Sequence, residues 1–275
     1  MSRRARHAGA PEGGRLVFGI QPVRELLRVQ GPEVAGLWVA ADSDNPKLES
    51  LCNLARSRGV EPAAVSRGEL DRRTKGAMHQ GVVAEGPPLT LLDEDELLAL
   101  VDRDPARVVT LLDGIMDPQN FGALVRSAVA LASAEGAGRP EGPVEPGGPG
   151  GVVVFPEHGA APLSPATFRA SAGAIEHATL VRVPSLPPLI EALKQRGFTV
   201  VLLEGRAEHE LDRLPLTGPT AIVVGAEDRG ARPAVRKAVS ARARLPMSPA
   251  IDSLNASVAT ALALYEVARQ RRHVG

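Results

Sequence analysis

Six near-continuous apolar runs in the carboxy-terminal part of the chain constrain its fold most strongly. They are VVTLLDG (108–114), GVVVFP (151–156), TLVRV (179–183), FTVVLLEG (198–205), AIVVGAE (221–227) and ARLPM (243–247). Strands with one wet face alternate apolar and polar residues, whereas strands covered on both faces read as unbroken apolar runs. Helical patterns near 119–134, 164–174, 186–196, 231–239 and 253–272 fall between or after these runs. This βα rhythm predicts an α/β fold around a mostly parallel sheet.

A smaller α/β unit precedes it, with helices expected at 22–30, 46–58 and 67–76 and strands at 37–40, 63–65 and 81–85. The expected division is a flexible basic tail at 1–14, an N-terminal unit at 15–86, a linker at 87–106 and a second domain at 107–275. Within the second domain, residues 135–150 are ten-sixteenths Gly and Pro, a composition that cannot offset its ordering entropy. That stretch is expected to be a disordered insertion.

Several function classes are disfavoured by composition. The 32 basic residues balance 32 acidic ones, so bulk electrostatic coating of nucleic acid is not expected, although a local basic face is allowed. Aromatic residues make up 3% of the chain, too few for a platform that stacks single strands. Cys52 is the lone cysteine and the six histidines are scattered, so neither a disulfide framework nor a metal site is expected. No apolar run reaches membrane-spanning length, and the basic amino terminus lacks the apolar core of a secretory signal. A cytoplasmic protein is expected.

Ligands of open parallel sheets gather beyond the carboxyl ends of the strands, and three unusual segments fall at such ends. In DGIMDPQNFGALVRSA (113–128), Pro118 sets a backbone angle, Gly122 permits close approach, and Asn120 offers an amide as a helix cap or a ligand contact. Arg126 follows about one turn into the helix. In VVGAEDRGARP (223–233), Gly225 and Gly230 bracket Glu227 before a helix. A glycine-rich turn there can bind phosphate, but GAEDRG fits neither GxGxxG nor GxxxxGK[ST], so nucleotide phosphate loses ground and a Rossmann oxidoreductase is improbable. In LPMSPAIDSLNASVATALALYEVARQRR (245–272), Ser253 is the expected helix cap. Leu254, Val258, Ala261, Leu262 and Tyr265 share a largely apolar side, and Asn255 and Ser257 are polar intrusions near the start. Each segment alone reads equally well as ordinary turn or helix-start chemistry.

Together, DGxxDPxNxGxxxRSA, GAExxGxR and PMxxxxxSLNxSVA, in that order, resemble the three motifs of the SpoU (TrmH) family of RNA ribose 2′-O-methyltransferases, of the SPOUT superfamily. FGIQPVRELL (18–27) and HQGVVA (79–84) resemble the small RNA-binding domain of its ribosomal subgroup. The resemblance implies a parallel-sheet SPOUT domain with a deep trefoil knot that holds S-adenosylmethionine, and no metal. It implies that loops 203–207, 225–230 and 245–254 form the knot crossing. Gly225, Leu245 and Leu254 would wrap the cofactor, and Gly205 and Met247 would line its pocket. It puts Asn120, Arg126, Glu227, Ser253, Asn255 and Ser257 at the active site.

In that reading Arg126 stabilises the ribose alkoxide or orients a phosphate, since an arginine keeps its proton far above neutral pH and makes a poor base. Asn120 and Asn255 position loops and ribose, Ser253 and Ser257 hold hydrogen bonds, and Glu227 orients Arg126 or Asn120. Asp228, Pro249 and Gln21 depart from the family pattern. The implied substrate is RNA, foremost a guanosine of large-subunit ribosomal RNA. The alternatives are a transfer-RNA methyltransferase and a non-catalytic RNA-binding or ribosome-assembly factor that kept the fold. A homodimer through helices near 119–134 and 253–272 is also implied.

Overall fold

The computed structural model describes residues 14–132, 151–248, 250 and 253–273. The tail, the Gly/Pro insertion and Pro249 lie outside the described residues.

Strand β1 (Arg15–Phe18) leads into α1 (Ile20–Gln30), β2 (Gly36–Ala40), α2 (Pro46–Ser57), β3 (Ala63–Val65), α3 (Arg67–Thr74) and β4 (Val82–Gly86). These build a four-stranded sheet in the order β1-β4-β2-β3. Strand β4 pairs antiparallel with β1 and β2, and β2 pairs parallel with β3. Asn45 and Ser66 cap α2 and α3 by accepting from Lys47 N and Glu69 N, which satisfies N–H groups that a helix start leaves orphaned.

Residues 87–106 do not form a free linker. They carry β5 (Leu91–Leu92), which pairs with β8, and α4 (Glu94–Arg103), which begins on an Asp93–Glu96 capping box. The apolar face of α4, Leu97, Leu100 and Val101, is buried against the second sheet. The amphipathic stretch expected to be a linker supplies one covering layer of the larger domain.

The chain continues through β6 (Val108–Asp113), α5 (Pro118–Ala132), β7 (Val152–Pro156), α6 (Pro165–Ala170), β8 (Thr179–Val183), α7 (Leu186–Gln195), β9 (Thr199–Leu203), β10 (His209–Glu210), β11 (Thr220–Gly225), α8 (Pro233–Ala238), β12 (Ala241–Arg244) and α9 (Ala256–Arg272). The eight strands lie in the order β10-β12-β9-β11-β6-β7-β8-β5, and every pairing is parallel. The last strand ends at Arg244, short of the expected 243–247. Strands β1 and β10 carry arginine, histidine or glutamate and so escape an apolar-run reading.

Alternate residues of the central strands feed separate cores. Val109, Leu111, Val152, Val154 and Val223 pack with α4, α7 and α8, while Leu112, Val153, Ile222 and Val224 pack with α5 and α9. Both faces are therefore dry, which accounts for the unbroken apolar runs. Helices α5 and α9 pack on each other through Phe121, Leu124, Val125, Ala263, Leu264 and Val267. The outward side of α9 carries Val258, Leu262 and Tyr265, each 44–50% exposed; the apolar side expected to be buried is thus only partly so. At the junction of the two units, Arg15 donates from two guanidinium nitrogens to the Glu176 carboxylate at 2.5 and 2.7 Å, both side chains being nearly inaccessible.

Candidate active site

All eight strands point the same way, so the loops after β6, β9, β11 and β12 share one edge of the sheet. Asp113 ends β6 with a fully buried side chain. Its carboxylate accepts from Arg232 N at 2.7 Å and Arg232 Nε at 2.6 Å. This ties the far end of the 226–232 loop to the neighbouring strand. A buried carboxylate requires such partners. Nothing in the local sequence distinguishes it from a turn aspartate, and sequence reasoning missed it.

The helix start after β6 is capped by Asp117, not Asn120. Asp117 accepts from Gln119 N and Asn120 N through its two side-chain oxygens, at 3.2 and 3.1 Å, and from Phe121 N through its carbonyl. The Asp-Pro pair is itself the signal for a cap followed by a first-turn proline. With the cap supplied, the Asn120 side chain is free to reach across to the β11 loop.

There it meets Glu227. Glu227 Oε1 accepts from Asn120 Nδ2 at 3.0 Å, Asn255 Nδ2 at 2.6 Å and Ala256 N at 3.0 Å, and Asn255 Nδ2 also donates to Asn120 Oδ1 at 2.9 Å. Asn255 Oδ1 accepts from Ser257 N at 2.9 Å and Ser257 Oγ at 2.5 Å. Asn255 is thus the cap of α9, displacing the expected Ser253, and the Glu227 carboxylate sits against a helix N-terminus, where negative charge is favoured. Four of the six expected active-site residues form one network: Asn120, Glu227, Asn255 and Ser257.

The other two stand apart from it. Ser253 is exposed and makes no hydrogen bond among the described residues. Arg126 is also exposed and without a partner among the described residues. Six residues beyond Asn120, it lies about a third of a turn around α5 and roughly 9 Å along it. Glu227 therefore holds Asn120 and not Arg126.

Beside the network lies a cleft of about 790 Å³ whose lining includes all five residues expected at a cofactor: Gly205, Gly225, Leu245, Met247 and Leu254. Leu203, Val224, Ala226 and Ala231 complete its apolar wall. Among the described residues its ionisable lining is Glu204 and Glu227, with no lysine or arginine. Glu204 is ion-paired to Arg236 and Arg242. At Gly225 a Cβ would stand 2.3 Å from Ala231 N and 2.4 Å from the Gly230 carbonyl carbon, so only glycine lets the turn close on the strand end. At Gly122 the close approach anticipated from sequence is to α6, with a Cβ falling 2.5 Å from that of Ala170.

Residues 148–265 match the SpoU rRNA Methylase family, and residues 16–92 match the RNA 2′-O ribose methyltransferase substrate binding family. A 23S rRNA (guanosine-2′-O-)-methyltransferase RlmB of Pseudomonas syringae pv. tomato is 37% identical over 256 residues, 93% of this chain and 95% of that protein. The chain belongs to the SpoU rRNA methylase family. Another SpoU relative, the RlmB of Photobacterium profundum, is 32% identical and covers 94% of this chain and 98% of its own. An uncharacterized tRNA/rRNA methyltransferase of Mycolicibacterium smegmatis is 36% identical over 94% of this chain and 77% of its own. Among solved structures, an RNA 2′-O ribose methyltransferase aligns with a TM-score of 0.69 at 26% identity, over 94% of this chain and 88% of that one. The SpoU methyltransferase AviRb of Streptomyces viridochromogenes, in complex with AdoMet, has the same fold (TM-score 0.70, 24% identity, 96% and 92% covered). The matched SpoU segment starts at residue 148, within the Gly/Pro insertion, so Asn120 and Arg126 precede it.

Proposed function

We propose that this chain transfers a methyl group from S-adenosylmethionine to the ribose 2′-hydroxyl of a guanosine in 23S ribosomal RNA. The observation that carries the reading is the cleft beside the Asn120–Glu227–Asn255 network, with apolar walls, two carboxylates and no cationic side chain among the described residues. Such a lining repels phosphate and suits an adenosyl group bearing a cationic sulfonium. S-adenosylmethionine supplies an electrophilic methyl carbon on that sulfonium. Gly225, Leu245 and Leu254 wrap it, with Gly205 and Met247 along the pocket. The curated RlmB relatives at 31–37% identity support the guanosine and the 23S rRNA.

The chain's own residues then act on the hydroxyl. A neutral 2′-hydroxyl is a weak nucleophile, so its developing negative charge must be held. Arg126 offers the positive charge that holds it, or orients the adjoining phosphate. Asn120 and Asn255, locked through Glu227, position the ribose; Ser253 and Ser257 hold hydrogen bonds around it. The unit at 15–86 binds the RNA substrate, a reading supported by the match over residues 16–92.

Two further features belong to this reading. The carboxy-terminal segment threads through the loop after β9 as a deep trefoil knot. The insertion of β12 between β10 and β9 and the shared lining of the cleft by residues 203–205, 225–227, 230–231, 245, 247 and 253–254 support it. The enzyme acts in the cytoplasm as a homodimer whose α5 and α9 helices meet across a two-fold axis. The exposed Val258, Leu262 and Tyr265 support that contact. The position of Arg126 outside its own cleft is consistent with sites completed near the seam.

The deciding experiment maps ribose methylation in ribosomal and transfer RNA from cells with and without the gene. Loss of one 2′-O-methylguanosine from 23S rRNA is expected. Loss from transfer RNA alone would move the substrate, and unchanged maps together with no calorimetric binding of S-adenosylmethionine would leave a non-catalytic RNA binder.

A further inference from the structure

A second cleft, of about 800 Å³, lies on the other side of the 226–231 loop from the first, and Ala226, Gly230 and Ala231 line both. Its floor adds Met116, 59% exposed, and Pro233; its rim carries His158, Arg229 and Arg232. No residue of the expected active site lines it. We infer that this cleft is a subsite for the nucleotide adjoining the methylated one, taking its base against Met116 and its phosphate against Arg229. The inference rests on the proposed reaction: the two clefts share Ala226, Gly230 and Ala231, so a strand with its ribose at Asn120 and Glu227 has this cleft as a neighbour.

The walls are held before any ligand arrives. The Ile115 carbonyl accepts from Ala161 N at 2.8 Å, fastening the loops after β6 and β7 together. Asp113 holds Arg232 on the opposite wall, which also neutralises that guanidinium. Two polar side chains of the rim are thereby left to a ligand. His158 has no partner among the described residues, and Arg229 pairs with Asp228 at 3.2 Å with both side chains about three-quarters exposed. An exposed pair of this kind is weakly held, so a phosphate oxygen can displace Asp228 from the guanidinium. Met116 is a flexible, polarizable surface suited to the face of a base, and it stands exposed among the described residues beside a buried Ile115. The charge pattern separates the two clefts: Glu204 and Glu227 line the first, whereas Arg229 and Arg232 line the second, where the Asp113 carboxylate is taken up by Arg232.

The test uses the full chain, transcribed unmodified 23S rRNA as the probe, and the variants Met116→Ala, His158→Ala and Arg229→Glu, all at exposed positions. Arg103→Glu, on α4 at the opposite edge of the sheet, controls for charge alone. Arg229→Glu should weaken transcript binding about tenfold at low salt and lower the slope of log affinity against log salt by about one. Met116→Ala should weaken it severalfold with the slope unchanged, Arg103→Glu should have no effect, and S-adenosylmethionine affinity by calorimetry should stay at the parent value throughout. If Met116→Ala and Arg229→Glu bind the transcript as the parent does while the parent methylates it, the subsite is wrong and the reaction stands. If the parent does not methylate the transcript but the variants lose affinity as described, the subsite stands as an RNA site and the reaction is wrong.

Discussion

Asn255 Nδ2 lies 2.6 Å from Glu227 Oε1, so the cap of the last helix and the turn after β11 are fixed to each other by one carboxylate oxygen. The same oxygen accepts from Asn120 and from the first N–H of α9. Removing it releases three elements at once. Glu227→Ala should slow single-turnover methyl transfer by about 100-fold, the scale expected when positioned groups shift by an ångström. Glu227→Gln keeps an accepting oxygen and should retain more of the rate. Equal rates for parent and alanine variant would remove Glu227 from the machinery.

Arg126 is the charged residue asked to face the ribose oxygen. Arg126→Ala should lower the rate of transfer by about 10²–10³, the range for losing one charge-stabilising donor. Arg126→Lys should recover only part of that, since an ammonium lacks the planar fork of a guanidinium. Both variants should bind S-adenosylmethionine as the parent does, because Arg126 does not line the cleft. An unchanged rate for Arg126→Lys would sink the assigned role.

Gly225 is confined by backbone and not by side chains, so a Cβ there cannot be relieved by a rotamer change. Gly225→Ala should shift the 226–231 turn, cost about 1–3 kcal/mol of stability from overpacking and abolish calorimetric binding of S-adenosylmethionine. Gly218→Ala, where nothing stands within 4 Å of the added methyl, is the matched control.

Periodicity was sufficient to read the parallel sheet, because strands dry on both faces announce themselves as apolar runs. It failed where polar residues interrupt an element: β1 hides behind Arg15, β10 is the pair His209–Glu210, and α4 falls in a stretch that reads as a linker although its Leu97 is fully buried. The network at Asn120, Glu227 and Asn255 was legible only through the order of three motifs, since contacts across 107 and 135 residues leave no local trace. Cap assignments failed for a different reason. Asp117, Asn120, Ser253 and Asn255 are all good caps, and which one is used depends on where tertiary packing starts the helix. Asp113 was invisible because its partner, Arg232, lies 119 residues away.

The outward face of α9 predicts assembly. Leu262→Glu, alone or with Tyr265→Glu, should convert a dimer to monomers in sedimentation, with circular dichroism unchanged because neither side chain is in the core. If sites are completed across the seam, the monomer should lose transfer to RNA. A mixture of Arg126→Ala and Glu227→Ala chains, each slowed about 100-fold or more alone, should regain part of the parent activity through mixed dimers. A parent chain sedimenting as a monomer at micromolar concentration would refute the assembly.

The junction of the two units supplies a stability test that does not depend on the chemistry. The Arg15 and Glu176 side chains are 7% and 1% exposed, and the Arg15 guanidinium also lies 5.2 Å from the Phe168 ring centre and donates to the Pro87 carbonyl. Breaking a buried pair leaves one desolvated charge uncompensated, which costs about 3–5 kcal/mol, whereas replacing both members with apolar residues of similar volume is often neutral. Glu176→Leu should therefore lower the denaturant midpoint sharply, and Arg15→Met together with Glu176→Leu should restore most of it. The Glu176→Leu variant should also loosen the 15–86 unit from the sheet and raise proteolytic nicking near Gly86–Pro87. A Glu176→Leu midpoint equal to the parent's would mean that water reaches the pair, and that the two units are held mainly by the apolar contacts around Ile175 and Phe168.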